Sequence, residues 1–341
     1  MTSLVKELCL LNGVSSGEDE VRDFLIQQAR PYADHLRVDA LGNLIVFKRG
    51  EKATGSKLML TAHMDEVGFI VKDITEEGYL KFAPVGGIDP RVVIGKRVSV
   101  GDRRVPGVIG LKPYHLVSGE EEKTVPKFED LTIDIGATSR EDAEAVAALG
   151  DLVAFVSDAV EFGNGMLKAK AIDDRVGCAI LLQLLKEELP LDCTFVFSVQ
   201  EEVGTRGAFG AAFSVSPEIA LVLEGTTAAD LPGTDAHRRV AVLGGGPVLS
   251  FMDGGTVYDR GLFELLRDVA EQNQIPWQTK NYTSGGNDAS AIQRTREGVR
   301  VAAVSAPVRY LHTPSSVGCC QDFDHMYALA KHFLAAVAAQ S

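Results

Sequence analysis

The chain has 341 residues, of which 45% are hydrophobic and 24% are charged, and this composition is typical of an ordinary globular protein with about two domains. The formal net charge is -13 and no block of Lys or Arg is present, which argues against nucleic acid as a partner because phosphate binding requires a basic face. No stretch approaches about 18 consecutive apolar residues, so the sequence predicts no membrane span.

The first residues and the cysteines indicate a cytoplasmic protein. Residues 1–14 contain a short apolar run interrupted by Glu7 and no small-residue cleavage site, which is not the pattern of a signal peptide. The five cysteines are an odd number and lack metal-type C-x-x-C spacing, which favours reduced thiols in the cytosol.

The first segment predicts a helix and then three strands. Ser16-Gly17-Glu18-Asp19 resembles a capping box, and apolar residues recur at helical spacing until Pro31. Strand character follows at residues 36–38, 44–47 and 57–61. The last strand delivers His63 and Asp65, which lie on one face of an extended chain. This spacing suits a metal ligand with a carboxylate that fixes its tautomer, although a single histidine is more often a surface or core residue.

From about residue 67 to 161 the pattern changes to short alternating strands with glycine turns. The predicted strands are 68–71, 80–82, 96–100, 105–109 and 131–135. One helix is predicted here, from Arg140 to Leu149, and Ser139 opens it. We interpret this region as a compact β domain inserted between two α/β segments.

Two further strands end on pairs of acids. The strand over 166–171 leads into Asp173 and Asp174, with a helix from 176 to 185. The strand over 194–199 ends at Glu201 and Glu202, before a turn at Gly204. Neighbouring residues on an extended chain point to opposite sides, so we expect Glu201 and Glu202 to have different roles. Taken alone, the Glu201–Glu202 pair also fits acidic residues at a helix N-terminus.

The remaining chain predicts strands at 219–223, 277–282 and 301–305 and helices at 257–270, 289–295 and 322–339. The first of these strands ends on Glu224, and the third leads to His312. Candidate metal ligands therefore follow several strands, and they are His63, Asp173, Glu202, Glu224 and His312. Two imidazoles and three carboxylates are a typical supply for a pair of Zn²⁺, Co²⁺ or Mn²⁺ ions.

Five ordered motifs resemble those of the M42 metallo-aminopeptidases, the tetrahedral aminopeptidases that include glutamyl aminopeptidases and relatives once labelled cellulases. The motifs are A-H-M-D-E-V-G at 62–68, K-A-I-D-D-R at 170–175, Q-E-E-V-G-T-R-G-A at 200–208, L-E-G-T-T-A-A-D-L-P-G at 223–233 and R-Y-L-H-T-P at 309–314. The resemblance extends over nearly the whole chain.

The resemblance implies an α/β fold, with a mixed-sheet zinc-peptidase-type catalytic domain and an inserted small β-barrel-like domain. Residues 1–65 and 161–341 would form the catalytic domain. Residues 66–160 would form the insert, which serves dimerisation and larger assembly, commonly a dodecamer. The implied partners are short peptides and copies of the same chain, with no nucleic acid and no membrane.

The resemblance also implies a role for each candidate residue. Asp173 would bridge two divalent metal ions. His63 and Glu224 would complete one site, and Glu202 and His312 the other. The roles that remain are those of three acids around the ligands: Glu201 as the general base, Asp65 as the residue that orients His63, and Asp174 as the support of Asp173 through an unusual peptide.

Two positions depart from the family pattern. Many relatives have Asp where this chain has Glu224, and Thr is common where it has Asn287. The predicted function is hydrolysis of N-terminal residues from short peptides by a metal-bridged water and the Glu201 base.

The alternatives are a glycoside hydrolase of the endoglucanase type that uses Glu201 and Glu202, and a non-catalytic metal-binding scaffold. Adjacent residues on one strand cannot readily flank a glycosidic bond at the separation of about 5–9.5 Å that the reaction requires. The preferred N-terminal residue depends on loops such as 244–255 and 282–288. Neither contains Arg or Lys, which favours neutral or aliphatic residues.

Overall fold

A computed structural model describes residues 1–54, 57–280, 282–283 and 285–340. It consists of an eleven-stranded mixed sheet with helices on both faces, and a closed barrel of six antiparallel strands. The α/β fold with an inserted β-barrel that the sequence predicted is therefore confirmed. Among the described residues, no helix is both long and apolar enough to cross a membrane.

The α-helices are α1 Thr2–Leu10, α2 Asp19–Ala29, α3 Arg140–Glu144, α4 Ile172–Leu185, α5 Arg206–Val215, α6 Arg260–Gln272, α7 Ala289–Ile292 and α8 Cys320–Gln340. The strands of the large sheet are β1 His35–Val38, β2 Leu44–Lys48, β3 Leu58–His63, β10 Val160–Phe162, β11 Met166–Ala169, β12 Cys193–Ser198, β13 Ile219–Thr227, β14 Val248–Leu249, β15 Gln278–Thr279, β16 Arg300–Arg309 and β17 Ser316–Cys319. The barrel strands are β4 Gly68–Ile74, β5 Leu80–Val85, β6 Arg97–Val100, β7 Val105–Gly110, β8 Thr132–Asp134 and β9 Leu152–Phe155.

The centre of the large sheet is parallel. Strands β12, β3, β13 and β16 lie side by side in that order and run in the same direction. The carboxyl ends of parallel strands meet at one edge of a sheet, where the loops that leave them form a crevice. The residues that end these four strands are thereby brought together.

Two layers of helices bury the sheet. Leu221 and Leu223 of β13 face the larger core, which contains buried side chains of α1, α2, α4, α6 and α8. Ala220 and Val222 face the smaller core, with α5 and α7. The alternation follows from the two-residue period of a strand. The last helix buries the apolar residues that recur along one of its faces, which are Phe323, Met326, Ala330, Phe333 and Val337.

The barrel has a core of its own. Phe69 packs edge-on against Phe82 and Phe155, with ring centroids 5.0 and 5.2 Å apart. The sequence predicted five of the six strands and missed β9, which closes the barrel by pairing with β4 and β6. Closure removes free strand edges.

Several boundaries differ from the sequence prediction. Strand β13 continues through Glu224, and β17 was not predicted. The helix expected over 140–149 ends at Glu144, and the one over 289–295 ends at Ile292. The strand expected over 277–282 is present as β15, and Asn281 within it lies outside the described residues.

The predicted capping box is wrong, although the helix that follows it is present. Ser16 makes no capping bond to α2. The Glu18 carboxylate instead accepts the N–H groups of Ser16 and Gln200, at 2.8 and 3.2 Å. The start of α2 is therefore tied to the turn after β12, which local sequence rules do not anticipate.

Candidate metal centre and active site

The five sequence-predicted metal ligands converge at the carboxyl edge of the parallel strands. They are His63 at the end of β3, Asp173 in the first turn of α4, Glu202 after β12, Glu224 in β13 and His312 after β16. Each strand delivers one donor to the same crevice, and Asp173 reaches it from the helix beside them.

The carboxylate of Asp173 lies between two imidazoles. Its Oδ1 is 3.5 Å from His63 Nε2, and its Oδ2 is 3.8 Å from His312 Nε2. His63 Nε2 also lies 3.1 Å from Glu224 Oε1, and His312 Nε2 lies 3.2 Å from Glu202 Oε2. The arrangement offers two adjacent groups of nitrogen and oxygen donors that share one carboxylate.

Asp174 also lies near these donors, but its oxygens are used by the backbone. Single donor atoms of His63, Asp174 and Glu224 lie within 4.8 Å of one another, as do those of His63, Asp173 and Glu202. Asp174 Oδ1 accepts the N–H of Gly177 at 2.9 Å, and Oδ2 accepts the N–H of His63 at 3.2 Å. Asp174 therefore ties α4 to β3, and the peptide that joins it to Asp173 is cis.

The outer nitrogens of both imidazoles face acceptors. His63 Nδ1 is 3.1 Å from the Asp65 carbonyl oxygen and 3.4 Å from Asp65 Oδ1. His312 Nδ1 is 2.7 Å from the carbonyl oxygen of Gly87. A proton on each Nδ1 leaves the Nε2 lone pairs directed at the carboxylates, which is the tautomer that a metal-binding histidine uses. Gly87 was not identified from the sequence, because a backbone acceptor 225 positions away leaves no local pattern.

Asp65 has more contacts than the sequence indicated. Besides His63, its Oδ1 accepts the N–H of Glu201 at 3.0 Å, and its Oδ2 accepts the N–H of Glu202 at 3.2 Å. The Ser15 hydroxyl donates to Oδ2 at 2.6 Å. One fully buried carboxylate therefore holds an imidazole and the turn that carries both glutamates.

The electrostatics of the cluster fit a cation. Burial raises the pKa of Glu201, Glu202 and Glu224, and the charges of neighbouring carboxylates raise it further. The Oε2 atom of Glu224 is buried and accepts no hydrogen bond within the described residues. Burying several carboxylates together is costly unless positive charge offsets them. The donor set of imidazole nitrogen and carboxylate oxygen suits borderline divalent ions.

A glycine allows Asp173 to approach β13. The Gly225 N–H donates to Asp173 Oδ1 at 3.0 Å. A β-carbon on Gly225 would lie 2.6 Å from that oxygen and 2.7 Å from Asp173 Cβ and Cγ. Real β-carbons do not come this close to other atoms, so a side chain at this position would require Asp173 to shift.

The donors open into a large cavity of about 1150 Å³. Glu201 lines it beside Glu202 and His312, and the barrel supplies part of the opposite wall, including Gly87 and Arg91. The cleft between the two units is therefore wide enough for a peptide end, and both units contribute to it.

The departure at Asn287 has a structural explanation. Its Oδ1 accepts the N–H of Ala289 at 2.9 Å at the start of α7, and its Nδ2 donates to the Tyr258 hydroxyl at 3.0 Å. That hydroxyl donates to Asp253 at 2.5 Å. The amide thus links one loop of the cavity wall to its neighbour.

Comparison with known proteins agrees with this geometry. The model of the family described as M42 glutamyl aminopeptidase matches residues 42–329. The chain belongs to the M42 peptidase family. It is 38% identical to a putative aminopeptidase of Acetivibrio thermocellus over 96% of this chain and 97% of that protein. It is 32% identical to the lysyl aminopeptidase of Pyrococcus furiosus over 97% and 96% of the two chains, and 32% identical to the glutamyl aminopeptidase of Lactococcus lactis over 94% and 91%.

Several solved structures superpose closely on the chain. An aminopeptidase of Desulfurococcus kamchatkensis has a TM-score of 0.93 at 36% identity, covering 98% of this chain and 94% of the other. The TET1 peptidase of Pyrococcus horikoshii has a TM-score of 0.86 at 34% identity, covering 97% and 98%. A Thermotoga maritima structure described as an endoglucanase has a TM-score of 0.82 at 36% identity, covering 98% of both.

The expectation of a peptidase is therefore confirmed, and this M42 chain is a hydrolase of the aminopeptidase family. The two alternatives from the sequence lose their support. The endoglucanase description belongs to two structural relatives, one of which is described as a putative peptidase/endoglucanase, while the family and the curated relatives are aminopeptidases. A non-catalytic scaffold does not require a further, partly buried glutamate beside the donors, and Glu201 occupies that position.

Proposed function

We propose that the chain is an aminopeptidase that uses two divalent metal ions, Zn²⁺, Co²⁺ or Mn²⁺, to remove N-terminal residues from short peptides. The observation that carries the proposal is the position of Asp173 between the imidazoles of His63 and His312. Asp173 would be shared by the two ions, with His63 and Glu224 holding one of them and Glu202 and His312 holding the other.

Two ions held in this way supply Lewis-acid polarisation of the scissile carbonyl and a water of lowered pKa. Glu201 lines the cavity beside the donors without belonging to the ligand set, and it accepts the proton of the attacking water. Glu201 then donates that proton to the leaving amine. Asp65 fixes the orientation of His63 and the backbone of the Glu201 turn, so the base and a ligand are positioned together.

The substrate requirement follows from the crowding of acids around the donors. A free N-terminal ammonium is stabilised by carboxylates such as Glu201, while a continuing chain or an acetyl group offers no charge to them. The enzyme therefore removes residues from free N-termini and does not cut internally. Glu224 stands where many relatives have Asp, and its Oε1 lies 3.1 Å from His63 Nε2. The longer side chain therefore still reaches the donor cluster.

Metal dependence is the first test. Exhaustive chelation is expected to abolish peptide hydrolysis, and Zn²⁺, Co²⁺ or Mn²⁺ is expected to restore it, because apo protein retains Glu201 but lacks the Lewis acid. The metal content of the dialysed protein, measured by elemental analysis, reports metal binding independently of activity. Full activity in metal-free protein would contradict the proposal.

The type of cleavage is the second test. One peptide is supplied with its N-terminus free or acetylated, and the products are identified by mass spectrometry. We expect stepwise loss of N-terminal residues from the free peptide and none from the acetylated peptide. Equal cleavage of both forms, or internal fragments, would rule out an aminopeptidase.

We also propose that residues 66–160 form the assembly domain between catalytic segments 1–65 and 161–341, and that the chain forms dimers and then a dodecamer. The support is the separate core of the barrel and the solved relatives described as a dodecamer and as a tetrahedron or octahedral shell. Light scattering at micromolar concentration is expected to give a large closed oligomer. Monomer alone would contradict this.

We propose a cytoplasmic location. All five cysteines are unpaired thiols in the structure, as expected in a reducing compartment. Fractionation of the native cells tests this, and recovery outside the cytoplasm would contradict it.

A further inference from the structure

A buried group of charged side chains adjoins the metal donors and has no part in the proposed chemistry. It consists of Glu66, Lys170 and Arg175, whose exposed fractions are 2%, 2% and 0%. Lys170 Nζ lies 2.7 Å from Glu66 Oε1, and Arg175 Nη2 lies 3.3 Å from the same oxygen. Two buried cations therefore depend on one carboxylate, and burying charges in this way is costly unless they are paired.

The positions of the three residues in the chain relate them to the predicted ligands. Glu66 follows His63 by three residues, and Lys170 precedes Asp173 by three. Arg175 follows Asp173 by two. One carboxylate therefore joins the segment that leaves β3 to both ends of the segment that carries Asp173.

Local helix geometry does not hold the segment between Lys170 and Arg175. Ala171 has a φ of 53°, in the left-handed region that residues other than glycine seldom adopt. Asp173 and Asp174 have non-helical φ and ψ values, although they lie in the first turn of α4. Backbone of this kind persists only where the surrounding contacts impose it. The contacts at the two ends of the segment are therefore needed to keep Asp173 in place.

Arg175 also binds the strand that carries His63. Its Nε donates to the carbonyl oxygen of Met64 at 3.1 Å, directly after that ligand. Its Nη1 donates to the carbonyl oxygen of Leu8, in α1, at 2.5 Å. The guanidinium thus connects the start of α4 to β3 and to the first helix of the chain.

Glu66 and Lys170 adjoin the donors without facing the peptide cleft. Both line a small cavity whose wall also includes Asp173, Glu202 and His312. Neither belongs to the described lining of the large cleft. This position suits residues that support the donors, and it does not suit residues that contact a substrate.

We propose that Glu66 is a positioning residue of the metal centre. By binding Lys170 and Arg175, its carboxylate fixes both ends of the Asp173 segment relative to His63, and so keeps the shared carboxylate where both ions need it. This inference rests on the two-ion function proposed above. Glu66 acts through Asp173 and contacts neither the ions nor the substrate.

Lys170→Met is the sharpest test, because charge and position predict opposite results. Glu66 keeps Arg175 and the N–H of Gly13 as donors, so the buried group stays balanced in charge. Removal of a buried cation near the donors would by itself strengthen the binding of a divalent cation. Release of one end of the segment instead displaces Asp173. We expect Co²⁺ to bind about 10- to 100-fold more weakly, the usual effect of losing a contact that orients a ligand.

Two readouts of metal binding do not depend on turnover. Calorimetric titration with Co²⁺ gives the affinity and the number of ions bound, and the visible absorption of bound Co²⁺ reports the geometry of its ligands. Lys170→Met is expected to change both. Lys170→Arg keeps a cation that can reach Glu66, and it is expected to bind Co²⁺ more tightly than Lys170→Met does.

A double variant tests whether the two residues act through one contact. Glu66→Gln keeps the shape of the side chain, removes its charge and is expected to weaken Co²⁺ binding. The loss in Glu66→Gln/Lys170→Met is expected to be no greater than the larger single loss, because both changes break the same contact. Losses that add would overturn the assignment. The Lys170→Met result stands by itself where Glu66→Gln does not fold.

Thermal unfolding of each variant separates a change of position from a general loss of stability. Asp322→Asn is the control, because it alters a buried carboxylate that accepts two backbone N–H groups in another loop, and it is expected to keep its Co²⁺ affinity. Unchanged or tighter Co²⁺ binding in Lys170→Met would overturn this inference and leave the proposed function intact. An unsubstituted protein that binds no Co²⁺ and hydrolyses no peptide would instead contradict the proposed function.

Discussion

Substitution of Gly225 by alanine tests whether the donor cluster depends on close contact between Asp173 and β13. The added β-carbon would lie 2.6 Å from Asp173 Oδ1 and 2.7 Å from its Cβ and Cγ. Gly225 is held in the sheet by its pairing with Ala306 of β16. The backbone of β13 cannot retreat without breaking that pairing, so Asp173 must move.

Two costs follow from that movement. Overpacking of a close-packed site destabilises a protein by about 1–3 kcal/mol. Displacing Asp173 also removes the bond from the Gly225 N–H that orients it, and loss of such an orienting contact lowers metal affinity by about 10- to 100-fold. Because Asp173 faces both imidazoles, we expect both ions to be bound more weakly.

The assay combines metal content after dialysis, thermal unfolding and peptide hydrolysis. Gly210→Ala is the matched control, because a β-carbon there would meet only Leu41 Cδ1, at 3.6 Å. Gly210 lies within helix α5, where alanine is favoured over glycine by about 0.5–1 kcal/mol, so this variant is expected to keep its metals and its stability. A Gly225→Ala protein with unchanged metal affinity and activity would refute the reasoning.

Three further predictions concern single carboxylates. Glu201→Gln is expected to lose about 10²–10⁴ in turnover yet keep its metals, whereas Glu202→Gln is expected to lose metal as well; equal metal content in both would contradict the assigned roles. Asp65→Asn is expected to weaken metal binding about 10- to 100-fold. The control is Asp322→Asn, which alters a buried aspartate that accepts two backbone N–H groups in another loop. Elemental analysis should therefore show a loss of bound metal in the Asp65→Asn variant only. The hydrogen bond from a neighbouring arginine lowers the pKa of Asp259. The ionised Asp259 carboxylate therefore stabilises the folded protein fully at neutral pH, and this stabilisation is lost as the pH falls below about 4. Asp259→Asn should narrow the difference in the free energy of unfolding between pH 7 and pH 3, measured by urea unfolding.

The chemistry of the cluster was readable from the sequence because of where the strands end. The acids after β12 and the histidine at the end of β3 follow runs of β-branched and apolar residues, and such runs predict buried strands. Once neighbouring strands are taken to be parallel, their ends must share one edge. The sequence alone therefore grouped His63, Asp173, Glu202, Glu224 and His312, and the motif resemblance assigned Asp173 the bridging role between two metal ions.

Other predictions failed because sequence rules treat each segment in isolation. The carboxylate of Glu18 replaces the expected serine cap by bonding across to Gln200, a contact between residues 182 positions apart. Strand β9 was missed because it is stabilised by β4 and β6 on either side and has little periodic character of its own. Local propensity is overridden when a neighbouring strand supplies the hydrogen bonds.

The sequence by itself determined which residue types stand at the strand ends, and hence a chemistry of imidazoles and carboxylates. Only the tertiary structure decided how they are oriented. The Gly87 carbonyl that fixes His312 comes from the barrel, Asp65 holds the backbone of Glu201, and Lys280 follows the two-residue strand β15 into the cavity wall. These contacts join residues far apart in the chain, and their distances depend on how the sheet, helices and barrel pack together, which no local pattern encodes.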